Sequence, residues 1–250
     1  MAAVAVLGLA TAIPAVAGKS AHRVADNPIG LFNADFSPSA LSKKKPTPIR
    51  FTATTRIKAG TAHPPPLKEL RLKLDRQVSL DLKEIPTTAD VEGCLPRSVR
   101  IPSVGKVRKD CGPAVVGYGR MDVEVQFPDQ NPVQVASQIV ALNGGIEGGT
   151  AKLYLYSSFS APVTGAIVTT MQIEKIRKGR YGLEAIATIP KIAGGSGSIT
   201  SFALTFKRGV LSATCPDGRL NFHGKPVFAE SAGPGESIVR TCVAKPEARR

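Results

Sequence analysis

Tryptophan is absent from this chain, and aromatic residues make up only 5% of it. Glycan sites present aromatic platforms whose large apolar rings stack on sugar faces, so a carbohydrate site is disfavoured. The same scarcity weighs against single-strand nucleic-acid binding, which combines cations with stacking aromatics. The basic stretches KVRK (106–109) and KIRKGR (175–180) have one aromatic nearby, Tyr181. There are three histidines. His22 lies in an N-terminal leader and His63 in a proline-rich turn, which leaves His223 as the sole candidate base for a Ser-His-Asp set. No local motif names a nucleophile for it. No apolar run reaches the roughly 20 residues that a membrane-spanning helix needs.

Other motifs are incomplete. The glycine-rich IPKIAGGSGSIT (189–200) lacks the lysine and following helix of a phosphate loop. It also fails as a G-x-S-x-G elbow, because Ser198 stands where the second glycine is needed. CPDGRLNFHGKP (215–226) gathers Cys215, Asp217 and His223, but the Cys215 to His223 spacing is not that of a zinc ligand pair. Its Pro-Asp-Gly run is turn chemistry. No catalytic residue, metal ligand or cofactor site is assigned.

What is present begins at the N-terminus. An apolar run from Ala2 to Ile13 precedes Pro14 and the Ala15-Val16-Ala17 triplet. This is the pattern of a secretory signal peptide over 1–17, with cleavage after Ala17. No basic residue precedes the run, which leaves open a start upstream of Met1 or a buried N-terminal element instead. In an exported chain the four cysteines are expected to be oxidised. Three pairings are formally open. Cys94 with Cys111, and Cys215 with Cys242, are favoured because each closes a short loop between neighbouring strand candidates. Lys and Arg number 33 against 19 Asp and Glu, a net charge of +14. This favours an anionic envelope polymer or lipid surface as partner over nucleic acid. The clusters KKK (43–45), KVRK and KIRKGR each sit in or beside a loop.

Residues 18–48 show no sustained periodicity and read as a flexible leader, with a short pinned segment at IGLFNADF. From 49 onward, alternation of period two recurs: IRFTATTRIK, LRLKLD, VSLDL, MDVEVQF, AKLYLYSSF, AIVTTMQIEKI, YGLEAIATI, ITSFALTFKRG and ESIVRTCV. Such alternation marks half-buried strands, and Gly- and Pro-rich turns separate them. NPVQVASQIVALN (131–143) reads as strand from its β-branched content. The fold expected is all-β: an antiparallel sandwich, partly barrel-like, with two disulfides, over 49–245 and a disordered tail at 246–250.

EGCLPRSVRIPSVGKVRKDCGPAVVGYGR (92–120), with its C-x-x-A-x-V-G-x-G element, resembles a group of uncharacterised exported proteins of actinobacterial type. So do YGLEAIATIPKIAGGSGSITSFALTFKR (181–208) and ATCPDGRL (213–220). The likeness runs from about Pro65 to Cys242, although EGCLP matches the group's acidic approach to the first cysteine only loosely. The resemblance implies export and this architecture, and adds no catalytic residues. The function expected is a non-enzymatic protein of the cell envelope or extracellular space. Its alternative is an extracellular hydrolase with a site built from loops.

Overall fold

The computed structural model of the chain describes residues 29–58, 63–95, 103–159, 164–229 and 233–245. The expected signal segment 1–17 and tail 246–250 lie outside the described residues. Along the chain run β1 (Ile29–Ser37), β2 (Ala40–Leu41), β3 (Thr47–Lys58), β4 (Leu67–Asp75), β5 (Val78–Leu80), α1 (Val104–Asp110), β6 (Val115–Val125), β7 (Val133–Glu147) and β8 (Thr150–Phe159). There follow β9 (Gly165–Lys175), β10 (Tyr181–Thr188), β11 (Gly197–Ala213), β12 (Arg219–Phe228), β13 (Glu236–Thr241) and β14 (Val243–Ala244). One antiparallel sheet has the order β1-β3-β11-β6-β7-β8-β9-β10-β4-β12-β13, with β5 beside β11. A parallel pair, β2 and β14, stands apart. Among the described residues no helix is long and apolar enough to cross a membrane.

The period-two pattern decides which face turns inward. On β12, Leu220, Phe222, Gly224, Pro226 and Phe228 are buried while the residues between them are not. The same alternation on β3 sends Phe51, Ala53 and Ile57 inward and Arg50, Thr52, Thr54 and Arg56 outward. A long sheet with one continuous apolar face curls until that face is covered. Here the curl brings β1 back beside β12 and β13, so the sheet is nearly a barrel. The all-β, antiparallel expectation therefore holds in its barrel-like form.

Side chains close the seam between β1 and the β12–β13 end. Glu236 Oε2 accepts the backbone N–H of Phe32 at 2.6 Å, in the place a strand carbonyl would take. Arg240 donates to Asn33 and lies 3.7 Å from Asp35. The Phe32 ring lies against Gly224, where an added Cβ would come within 2.3 Å of it. Glycine at 224 is thus what lets β1 close onto β12.

One expectation needs correction. Residues 29–37 and 40–41 are not leader but strand, and β1 pairs with β3 along its length from Ile29↔Lys58 to Ser37↔Arg50. IGLFNADF alternates Phe32 and Ala34 inward with Leu31, Asn33 and Asp35 outward, a pattern too short to stand out beside its Asn- and Ser-rich flanks. KVRK stands beside a loop as expected, but on a short helix, α1, that the strand patterning did not signal. Seven residues give no periodic window, but Ser103 Oγ caps the helix by accepting Lys106 N–H, and Val104 and Val107 bury against Val140, Leu142 and Tyr156. The 131–143 stretch forms strand as expected, in β7.

The disulfides are Cys94–Cys111 and Cys215–Cys242. The first ties the C-terminal end of α1 to the loop before it. The second joins the end of β11 to the β13–β14 junction, with both cysteines buried. The intervening Pro216–Gly218 forms the expected turn, with Gly218 at φ +72° and its carbonyl accepting Cys242 N–H at 2.9 Å.

Candidate functional site

Cys215 is held in its disulfide, so within CPDGRLNFHGKP only His223 is left to consider for chemistry. It sits half-buried on β12, with Nδ1 2.9 Å from Ser237 Oγ and its ring 6.2 Å from that of Tyr181. An added Cβ on Gly235 would lie 2.5 Å from the ring, so the imidazole is packed against backbone. Desolvation first, and then the charges of Lys73 and Lys225, hold its pKa below the ordinary 6.5, with Glu184 opposing weakly. Among the described residues no carboxylate is hydrogen-bonded to it, as base chemistry would need. Because the folded pKa is depressed, His223 costs nothing above 6.5. As pH falls below that value the unfolded chain takes the proton first, and stability is lost. His223→Gln should therefore show a smaller fall in melting temperature than wild type between about pH 7.5 and about pH 5. An equal fall in both would contradict this.

The sequence set His63 aside in a turn and Ser198 as the residue that breaks the elbow pattern, yet the fold brings them together. His63 Nδ1 is 2.7 Å from Glu124 Oε1, and its Nε2 is 3.1 Å from Ser198 Oγ. The register Ser198↔Glu124 places both on the outer face of β11 and β6, where the His63–Pro66 segment crosses them. The order acid-imidazole-hydroxyl is that of a hydrolytic triad, but the proton count is not. Ser198 has one hydroxyl hydrogen, and Oγ lies 2.5 Å from the carbonyl of Pro64, an acceptor only. The serine therefore gives its one hydrogen to Pro64 and has none to offer His63 Nε2. Ser198 is also 0% exposed. The group is a clasp that fastens residues 63–66 to the sheet. Its sequence signal was nil because the members are 135 and 61 residues from His63.

Ser198→Ala leaves the Pro64 carbonyl and His63 Nε2 without their partner, which should cost about 1–3 kcal/mol in urea unfolding. A serine-reactive fluorophosphonate should leave the wild-type protein unlabelled. Labelling at Ser198 would restore the hydrolase reading.

A third constellation lies on the outer face of β3, β11 and β6. The register sets Thr52 beside Thr205 and Thr205 beside Tyr118, with Thr54, Ala203 and Arg120 in the next row. Thr52 Oγ1 and Thr205 Oγ1 share a hydrogen bond of 2.9 Å, and with the small Ala203 they form the floor of a groove of about 610 Å³. Arg50, Arg120, Lys207 and Arg208 surround that floor.

The last two cations owe their position to a bulge. Phe206 pairs with Phe51 and Leu211 with Ile49, so residues 207–210 of β11 stand opposite Arg50 alone, and Gly209 takes φ +97° to accommodate the excess. Bulges re-aim side chains in this way. Arg208 Nε is fixed to the Pro48 carbonyl at 3.3 Å. Lys207 Nζ lies 5.5 Å above the Tyr118 ring, and Arg108 of α1 stacks on it at 4.5 Å.

None of Arg50, Arg120, Lys207 and Arg208 has a carboxylate within ion-pair distance among the described residues. The nearby acids are engaged at the margins. Asp122 accepts from Ser201 at 2.5 Å, and Asp35 faces Arg240. The groove is therefore a local excess of positive charge with hydroxyl donors at its floor. Guanidinium groups suit phosphate and carboxylate oxygens, which they can hold through two parallel N–H bonds.

Comparison with protein-family models, curated proteins and solved structures finds no match to this chain.

Proposed function

We propose that this is an exported, non-enzymatic protein of the cell envelope or extracellular space whose outer groove docks a linear anionic envelope polymer. The observation that carries the reading is the ring of Arg50, Arg120, Lys207 and Arg208 around a threonine floor, without carboxylate partners among the described residues. The signal-like start, the paired cysteines and the resemblance to exported proteins support the location. From Arg50 to Arg56 the outward side of β3 runs for about 20 Å at strand spacing. That length fits several repeats of a chain. Docking on a membrane would favour apolar residues among the cations, and among the described residues Leu31, opposite Arg56, is the only exposed large apolar side chain that borders this face. A hydrolase would rest on the His63–Ser198–Glu124 line, and the burial of Ser198 argues against it.

Co-sedimentation tests the reading. The protein should pellet at low salt with cell walls that carry a phosphodiester polymer, should be released as salt rises, and should stay in solution with walls stripped of that polymer. Retention that is indifferent to salt, or equal on stripped walls, would contradict it. Stronger pelleting with anionic lipid vesicles would replace the polymer by a membrane.

A further inference from the structure

Where the strands β6, β8 and β10 end and β7, β9 and β11 begin, the barrel opens into a pocket of about 240 Å³. Its walls are inward positions of the alternating strands: Val123 and Val125 of β6, Val135 of β7, Phe159 of β8 and Ile167 of β9, closed on one side by Ile192. Deeper in, the inward hydroxyls of Ser137 and Ser157 bond to each other at 2.6 Å and to the carbonyls of Ser158 and Gln138. They are satisfied and form a floor, not a ligand site. Farther along the lumen, the rings of Phe51, Phe206 and Phe222 fill the space. The apolar pocket is therefore a bounded cup.

One charged residue lines this cup. Lys191 is exposed beside Ile192 and has no carboxylate partner among the described residues. An apolar cup with a single cation at its rim complements a molecule with an apolar tail and one anionic head. At roughly 30 Å³ per methylene-sized group, the cup takes a tail of about eight carbons.

We infer that the open end of the barrel binds a medium-chain acyl anion, with its tail among Val123, Val135, Phe159 and Ile167 and its head against Lys191. This site is separate from the outer groove and does not depend on it. Pockets of this kind draw their affinity from apolar burial and their orientation from a few placed polar groups. The rim charge, exposed to solvent, should contribute modestly.

Calorimetric titration with decanoate and with decanol is the test, at a salt concentration that suppresses the groove. Wild type should bind both at one site per chain. Lys191→Gln should weaken decanoate about five-fold and leave decanol unchanged, the ratio expected for one exposed ion pair. Ile167→Trp, which fills the cup, should abolish both while keeping the wild-type melting temperature. Should that variant not fold, Val135→Phe makes the same test from the opposite wall. Arg50→Glu with Arg120→Glu should bind decanoate as wild type does, which separates this site from polymer docking. Absence of decanoate binding, or binding unmoved by filling the cup, overturns the inference. So does an equal loss of decanoate and decanol in Lys191→Gln.

Discussion

Serine in place of both Cys215 and Cys242 is expected to lower the melting temperature by about 10 °C. The bond spans 27 residues of sequence. Releasing such a loop restores to the unfolded chain entropy worth about 3–4 kcal/mol in the chain-entropy model. For a domain of this size each kcal/mol moves the melting temperature by about 2–4 °C. The bond also lies in the core: Cys215 is fully buried, and its N–H donates to the Ser42 carbonyl at 2.9 Å. Loss of the bond therefore loosens β14 and β2 as well as the end of β11. Differential scanning calorimetry of the oxidised wild type against the double variant measures this. A shift of only about 2 °C would show that the sheet holds β13 and β14 without the bond.

Phe222→Ala should cost about 3–5 kcal/mol, the range for deleting a buried aromatic ring. The residue is fully buried on β12, and its ring lies 5.2 Å from that of Phe51 on β3 and 6.3 Å from that of Phe36 on β1. It is the aromatic bridge across the seam that the backbone ladder does not close. Removing it leaves a cavity and also weakens the contact between the first and last strands of the sheet. Phe222→Leu keeps most of the volume and should lose less than about 1.5 kcal/mol. The two urea midpoints read side by side give the answer. A small loss for both would mean that Glu236 and Arg240 alone hold the seam.

The sequence made much of this fold legible because one signal, alternation, is local. Each long strand announces its own inward face, and turn residues mark where it stops. The cysteine pairing was also readable from closeness in sequence, although only Cys215–Cys242 brackets neighbouring strands, β12 and β13, while Cys94–Cys111 brackets α1. What escaped was either short or non-local. β1 is flanked by polar residues that mask its few inward side chains, and the seven residues of α1 are held by a cap and a disulfide rather than by periodicity.

The functional face was the least legible part. The basic stretches KKK, KVRK and KIRKGR are not its core, although Arg108 borders it. Arg50, Arg120 and Lys207 are isolated in sequence and meet only because β11 lies between β3 and β6 and because a bulge turns 207 and 208 outward. The clasp of His63, Glu124 and Ser198 escaped for the same reason. In both cases strand order, which local patterning does not encode, decides which side chains are neighbours.

Polymer docking in the groove, as opposed to diffuse attraction by the whole basic surface, is decided by comparing two charge reversals of equal size. Arg50→Glu with Arg120→Glu alters the groove, whereas Arg177→Glu with Lys178→Glu alters an exposed turn on another part of the sheet. Affinity for a soluble phosphodiester polymer is measured for both across a salt series. The groove pair should lose about tenfold or more in affinity, and its salt slope should fall by roughly two ionic contacts, while the turn pair stays near wild type. Equal losses in the two variants would contradict the groove as the docking site.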